Sequence, residues 1–201
     1  MMSFISYFIN GLSLGSVYAI IALGYTMVYG IAKMLNFAHG DVIMIGGYVV
    51  FTVVSTMGLP PAVGILLAVI ICTVLGVTIE KVAYRPLRMA SPLAVLITAI
   101  GVSYLLQNIA LLVFGSNPKS FTSVVTIPAL KLAGGRLTIS GETLVTIVSC
   151  IVIMIVLTTF IKKTRAGQAM LAVSEDKGAA QLMGINVDGT IALTFAIGSA
   201  L

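Results

Sequence analysis

The sequence predicts an all-α polytopic membrane protein with about five transmembrane helices and the start of a sixth. Of its 201 residues, 59% are hydrophobic and only 8% are charged, and the mean hydropathy is +1.16. The apolar runs approach or exceed the roughly 20 residues that a helix needs to cross the hydrocarbon core. They do not alternate as the ~10-residue strands of a membrane barrel do. Helices also satisfy their own backbone polar groups in lipid.

The first and last apolar runs bound the domain. No Lys or Arg precedes the first run, which favours a retained span over a cleaved signal peptide. The last run is still apolar at Leu201, which predicts a single transmembrane domain, residues 1–201, incomplete at its C-terminus. The predicted spans are residues 4–30, 42–57, 61–79, 92–114 and 142–161, and the sixth begins near Thr190.

Charge predicts which loops share a side of the membrane. If each span crosses once, the segments 31–41, 80–91 and 162–189 lie on one face and carry eight basic residues, whereas the other face carries three. Basic residues are enriched in cytoplasmic loops, so the first face is predicted to be cytoplasmic. The net charge of +5 then indicates contact with anionic membrane lipid rather than nucleic acid.

Residues 115–141 are predicted to form a small external hairpin loop. A β-branched run lies at 121–127, and Gly134-Gly135 separates Lys131-Leu132-Ala133 from Arg136-Leu137-Thr138-Ile139, which is a hairpin signal. Ser140 is predicted to cap the next helix. Glu142 then lies in the first helical turn, where the helix dipole favours a carboxylate.

The segment Asn36-Phe37-Ala38-His39-Gly40-Asp41 interrupts two apolar runs. One interpretation is a cytoplasmic turn in which Asp41 caps the following helix. The other is a break in a discontinuous helix that lines a substrate pathway through Asn36, His39 and Asp41, as in many transporters. His39 has no second ligand at helical spacing, so no metal site is predicted.

The loop 162–189 holds seven of the 17 charged residues. Within it, Ser174 is predicted as the N-cap of a short helix over 175–183 that begins with Glu175 and Asp176. Gly184 is predicted as its C-terminal glycine. The helix either rests on lipid headgroups or docks into a partner subunit. Its small, Ala-rich composition with acidic residues leading favours the partner.

Motifs for chemistry are missing from the sequence. It has neither a P-loop nor a dinucleotide-binding fingerprint, so any ATP hydrolysis is expected in a separate subunit. The spans carry few ionisable groups, which weakens an ion-coupled mechanism. We expect no catalytic residues, cofactor or enzymatic activity.

Four segments together resemble the membrane permease subunit of bacterial branched-chain amino acid ABC importers. The resemblance covers essentially all 201 residues. It implies that the broken-helix interpretation of 36–41 is the better one, because related sugar permeases have such a break. The segments are Asn36-Phe37-Ala38-His39-Gly40-Asp41, Glu80-Lys81-Val82-Ala83-Tyr84-Arg85-Pro86-Leu87-Arg88, Leu96-Ile97-Thr98-Ala99-Ile100-Gly101, and Arg165-Ala166-Gly167 through Gly184-Ile185-Asn186.

The resemblance also implies partners and a location. A second permease subunit, two ATP-binding subunits and a periplasmic substrate-binding protein would join this multi-pass chain at the bacterial inner membrane. The loop 162–189 would be the coupling loop to the ATPase. It matches E-A-A-x-x-x-G except that Gly178 replaces the acid. The alternative function is a stand-alone channel or ion-coupled transporter for small solutes. The residues expected to couple are Glu175, Asp176, Ala179, Ala180 and Gly184.

Overall fold

The computed structural model describes residues 2–120, 128–132 and 137–201. In these residues, eight α-helices and one two-stranded antiparallel sheet follow the predicted order. The elements are α1 (Met2–Ala32), α2 (His39–Phe51), α3 (Pro61–Ile79), α4 (Pro92–Phe114), β1 (Leu130–Leu132), β2 (Leu137–Ile139), α5 (Gly141–Lys163), α6 (Arg165–Glu175), α7 (Lys177–Leu182) and α8 (Val187–Ala200).

The predicted spans are confirmed with small shifts at their ends. In the described part of the chain, five helices are long and apolar enough to cross a membrane. The shorter apolar helix α8 begins at Val187, three residues before the predicted start of the sixth span. Ser140 caps α5 as predicted, because its hydroxyl accepts a hydrogen bond from the Thr143 amide at 3.2 Å.

Two predicted connectors are partly helical. The α2 helix begins at His39 and continues as a π-helical turn over Thr52–Thr56. The α3 helix continues through a π-helical turn, Glu80–Tyr84, and a 3₁₀ turn, Arg85–Leu87. The prediction of a loop over 80–91 is therefore wrong for most of its length.

The strands of the hairpin predicted within residues 115–141 form a short antiparallel pair, with Lys131 opposite Thr138. Its predicted Gly134-Gly135 turn and the β-branched run at 121–127 lie outside the described residues. The β2 strand packs against α1.

Helix α8 lies at the centre of the packing, against α1 and α3. Small residues allow these close approaches. A Cβ at Gly198 would lie 2.8 Å from Val28 of α1, and one at Gly76 would overlap the Ser199 side chain. The Phe195 and Ile191 side chains of α8 are completely buried. The buried core therefore surrounds α8 and the last two turns of α1.

The polar connectors gather at one end of the bundle, which we call the basic end: residues 32–35, 85–91 and 162–188. Two contacts hold it together. The Lys177 ammonium of α7 donates to the Ala32 carbonyl at the end of α1 at 2.7 Å, and Arg88 forms an ion pair with Asp188 at the start of α8. The hairpin precedes α5, whose other end lies here, so the hairpin is at the opposite end.

Candidate functional site

The chain between α1 and α2 is irregular and buried. Helix α1 ends at Ala32, and Lys33 follows in a left-handed conformation with φ 58°. Residues 33–38 then run without helical structure. Asn36 is 3% exposed and Ala38 is completely buried. Non-helical backbone is tolerated at membrane depth where protein surrounds it.

The position of His39 shows that α2 begins well inside the bundle. A Cβ built at Gly24 would lie 2.9 Å from Cε1 of His39, so the imidazole rests directly on the α1 backbone there. Gly24 precedes Ala32 by eight residues, which is about 12 Å of helix at 1.5 Å per residue. The connector thus returns along α1 before α2 starts. This geometry favours a broken helix over a surface turn.

Asn36 and His39 face different neighbours. The Tyr84 hydroxyl, from the π-helical turn after α3, donates to Asn36 Oδ1 at 3.0 Å. The His39 and Tyr25 rings pack in a T-shaped arrangement with centroids 6.2 Å apart. Within the described residues, Nδ1 of His39 is buried without a hydrogen-bond partner. The structure therefore does not bring these two side chains to one point.

Asp41 faces α4. It lies in the first turn of α2, and the N-cap position is Ala38, which makes no side-chain capping bond. The interpretation of Asp41 as a cap is therefore wrong. Its Oδ1 instead accepts a hydrogen bond from Gln107 Nε2 at 3.0 Å. Only 8% of Asp41 is exposed, so its carboxylate contacts mainly protein, including the Gln107 side-chain amide.

Gln107 was missed by the sequence analysis. It lies 15 residues after Pro92, about 22 Å into α4 at 1.5 Å per residue. Its amide also donates to Ser103 Oγ at 3.2 Å, and Tyr104 and Asn108 are exposed beside it. The available signal was the group of four polar side chains at 103, 104, 107 and 108, which share one side of an otherwise apolar span. Polar groups inside membranes usually face a bundle interior or a cavity.

A buried ionic network forms at the basic end. Glu80 is completely buried and pairs with Arg88, which also pairs with Asp188. Arg85 adds a second contact to Asp188 at 2.5 Å. Within the described residues, Glu80 Oε2 and Arg88 Nε are buried without a hydrogen-bond partner. The network joins the extension of α3 to the start of α8.

Both arginines lie in the segment 80–91, one of those predicted to carry basic residues on the cytoplasmic face. The side chain of Arg88 is only 13% exposed, because it pairs with the buried Glu80. The available signal was Glu80, an acid placed directly after the mostly apolar 19-residue helix α3. A buried carboxylate requires a partner, and here the helix continues far enough to deliver one.

Helix α6 was not predicted as a separate element. Thr164 is its N-cap, accepting from the Gly167 amide at 3.0 Å. A side chain at Gly167 would overlap the Ile161 carbonyl, so the turn from α5 into α6 requires glycine. Met170 and Val173 are buried on one face. Their burial extends α6 through Glu175, where the predicted helix was to begin.

The predicted short helix is present as α7, but its start is different. Asp176 is the N-cap, since its Oδ1 accepts from the amides of Gly178 at 2.7 Å and Ala179 at 3.0 Å. Ser174 instead donates back to the Leu171 carbonyl within α6. The prediction of Ser174 as the cap is therefore wrong, because α6 continues past it.

The predicted end of α7 is confirmed. Gly184 has φ 81°, and its amide donates to the Gln181 carbonyl at 3.0 Å. The Ile185 amide reaches back to the Ala180 carbonyl, also at 3.0 Å. This pair of bonds is a Schellman motif, which favours glycine because the position is left-handed.

The α7 helix has one buried and one exposed side. Ala180 is 3% exposed and packs inward, whereas Ala179 is exposed. Leu182 and Met183 are 90% and 82% exposed. Two large apolar side chains that project from the polar basic end form a surface suited to protein contact.

The fold and these sites define a polytopic α-helical membrane protein with a buried helix break and a folded loop at one end. Comparison with known proteins places it further. The chain belongs to the family described as "Branched-chain amino acid transport system / permease component", which matches residues 7–201.

Individual relatives agree with the family. The chain is 42% identical over 208 residues to the Salmonella typhimurium "High-affinity branched-chain amino acid transport system permease protein LivH", covering 98% of this chain and 68% of that protein. It is 43% identical to the corresponding protein BraD of Pseudomonas aeruginosa, covering 96% and 66%. A probable LivH of Methanocaldococcus jannaschii is 27% identical, covering 90% and 58%. No solved structure matches the chain.

Proposed function

We propose that this chain is the membrane-spanning permease subunit of an ATP-driven importer of branched-chain amino acids. The observation that carries the proposal is the 42% identity, over 98% of the chain, to a permease named for this transport. The protein would be a multi-pass subunit of the bacterial inner membrane. Its basic end would face the cytoplasm, because basic residues accumulate on that side.

The proposed partners follow from the two ends of the molecule. Two ATP-binding subunits would sit below the basic end, where α7 exposes apolar side chains, and ATP hydrolysis would occur there rather than in this chain. A periplasmic substrate-binding protein would deliver the amino acid at the opposite end, beside the β1–β2 hairpin. A second permease subunit would complete the pathway, and membrane lipid would surround both.

The proposed pathway runs beside the helix break. The exposed polar stripe of α4 and the Asp41 carboxylate lie next to each other across the Gln107 hydrogen bond. A carboxylate suits the ammonium group of an amino acid, and the neighbouring apolar faces suit its aliphatic side chain. Asn36 and His39 would act differently, by holding the irregular connector in place through Tyr84 and α1.

The direct experiment is uptake of labelled leucine by liposomes that contain the full permease pair and the ATP-binding subunits. We expect uptake to require the binding protein and ATP enclosed in the liposomes. We also expect isoleucine and valine to inhibit the uptake of leucine. Omission of the ATP-binding subunits is the control and should abolish uptake. Uptake that continues without them, driven by an ion gradient, would instead support a stand-alone carrier.

The residues predicted to couple transport to ATP divide into two groups in the proposal. Asp176, Ala180 and Gly184 shape α7, as its N-cap, its buried face and its C-terminal turn. Glu175 and Ala179 are exposed and would belong to the contact surface. Leu182 and Met183 extend that surface, so the acid missing at Gly178 is replaced by apolar contact area.

Replacing Leu182 and Met183 together with serine should weaken association with the ATP-binding subunits by about tenfold or more, since each buried side chain of this size contributes roughly 1.5–3 kcal/mol. Co-purification at limiting concentration measures the loss. Gln181→Ala is the matched control, because Gln181 is exposed on the same helix. Equal retention by the double variant and the control would refute α7 as the docking element.

A further inference from the structure

A cavity of about 310 Å³ opens at the basic end between the end of α1, the start of α4 and α7. Its lining combines cationic side chains with an apolar wall. The cations are Lys33, Arg88 and Lys177, Tyr29 lies beside them, and the wall includes Met34, Leu35, Pro92, Val95 and Leu96.

The positive charge of this cavity is incompletely balanced. Arg88 is paired with Glu80 and Asp188. Lys177, by contrast, donates to a neutral carbonyl, that of Ala32. Lys33 makes no ion pair among the described residues, and no described carboxylate lines the cavity.

The ammonium of Lys177 is partly buried beside the other two cations. Burial is the main cause that lowers the pKa of its ammonium below the ordinary value, and the nearby charges of Arg88 and Lys33 add to it. An anion in the cavity would oppose the second effect. Among the described residues, the positive charge of Lys33 and Lys177 in this cavity therefore has no counter-ion.

The apolar wall continues onto a surface that faces outward. Leu93 and Ile97, on the first two turns of α4, are 64% and 61% exposed. An acyl chain can lie along these side chains while the attached headgroup occupies the cavity. Basic pockets between transmembrane helices on the cytoplasmic side are typical binding sites for phosphate-bearing headgroups.

We propose that this cavity binds the phosphate of an anionic phospholipid from the cytoplasmic leaflet, held by Lys33 and Lys177 with Arg88 behind them. The lipid would join three elements that otherwise meet through few polar contacts: the end of α1, the start of α4 and α7. Because Lys177 is the first residue of α7, occupancy of the cavity would stabilise the position of that helix.

Binding is testable on the assembled transporter in phosphatidylcholine nanodiscs, with spin-labelled phosphatidylglycerol as the probe. We expect a saturable, immobilised population of about one labelled lipid per chain. Lys33→Gln should weaken its binding about fivefold, and Lys33→Gln with Lys177→Gln about 25-fold, since each lysine near an anionic headgroup contributes a factor of this size.

Lys81→Gln is the matched control. Lys81 is an exposed cation four residues before Arg85 but does not line the cavity, so saturable binding should remain. A second arm adds inorganic phosphate at millimolar concentration, which we expect to compete weakly. Absence of saturable lipid binding, an equal loss in Lys81→Gln, or binding of free phosphate without lipid would each overturn the proposal. Lys33 is exposed, so its single variant tests the site even if the double variant misfolds.

Discussion

Replacing Arg88 with alanine should lower the free energy of unfolding by about 3–5 kcal/mol, the cost of breaking a buried ion pair from one side. Glu80 is completely buried and would lose the arginine that pairs with it. Asp188 would lose one of its two arginine partners, which loosens the link between α3 and α8. Denaturant unfolding of the purified protein, followed by helical circular dichroism, measures the effect.

Two controls separate the loss of the ion pair from the loss of side-chain volume. The double variant Glu80→Met with Arg88→Met removes both charges and keeps the volume, so most of the stability should return. Lys81→Ala changes an exposed charge one residue from Glu80 and should stay within about 0.5 kcal/mol of the parent. An unchanged stability of Arg88→Ala would show that Glu80 is not held by this arginine.

Asp41→Asn should reduce leucine transport about tenfold or more at low substrate concentration. The substitution keeps the shape of the side chain and a hydrogen bond to Gln107 but removes the negative charge. A hydrogen bond between charged groups contributes roughly 1.5–3 kcal/mol, so loss of an ammonium partner has an effect of this size. Initial rates of leucine uptake in the reconstituted system measure the loss. We expect the substitution to act mainly by raising KM.

A substrate analogue tests the chemical reason for that loss. The deaminated analogue of leucine, 4-methylpentanoate, has no ammonium group, so its competition against leucine should improve in Asp41→Asn relative to the parent. Ser103→Ala is the matched control, because Ser103 contacts Gln107 but supplies no charge. Unaltered leucine uptake by Asp41→Asn would remove Asp41 from the pathway and leave the family assignment intact.

The transmembrane spans were the most predictable part of the fold. Pro92–Phe114 is found at its predicted bounds, and the α3 span begins and ends as predicted before its helix continues. A long apolar run is a local property of the sequence, and a run of this length and composition forms a helix in the hydrocarbon core. Extensions beyond the runs were less predictable, since Glu80 contacts Arg88, and Arg88 contacts Asp188 at the start of α8, a residue that is far away in the sequence.

The candidate sites were predicted by residue type more successfully than by contact. The predicted break, 36–41, overlaps the irregular segment 33–38 only in part, because α2 begins at His39. Asn36, His39 and Asp41 have separate neighbours near α3, α1 and α4. Gln107 follows Asp41 by 66 residues, and no local pattern indicates which polar groups meet across such a distance.

The sequence by itself determined the number and order of the membrane-crossing helices, the concentration of charge at one end, and the glycine that ends α7. These features depend on run length, composition and backbone conformation over a few residues. Tertiary structure decided that Asp176 rather than Ser174 begins α7, because burial of Met170 and Val173 carries α6 past Ser174. It also decided which charges are paired and which line the basic cavity, since those contacts join residues as far apart as Ala32 and Lys177.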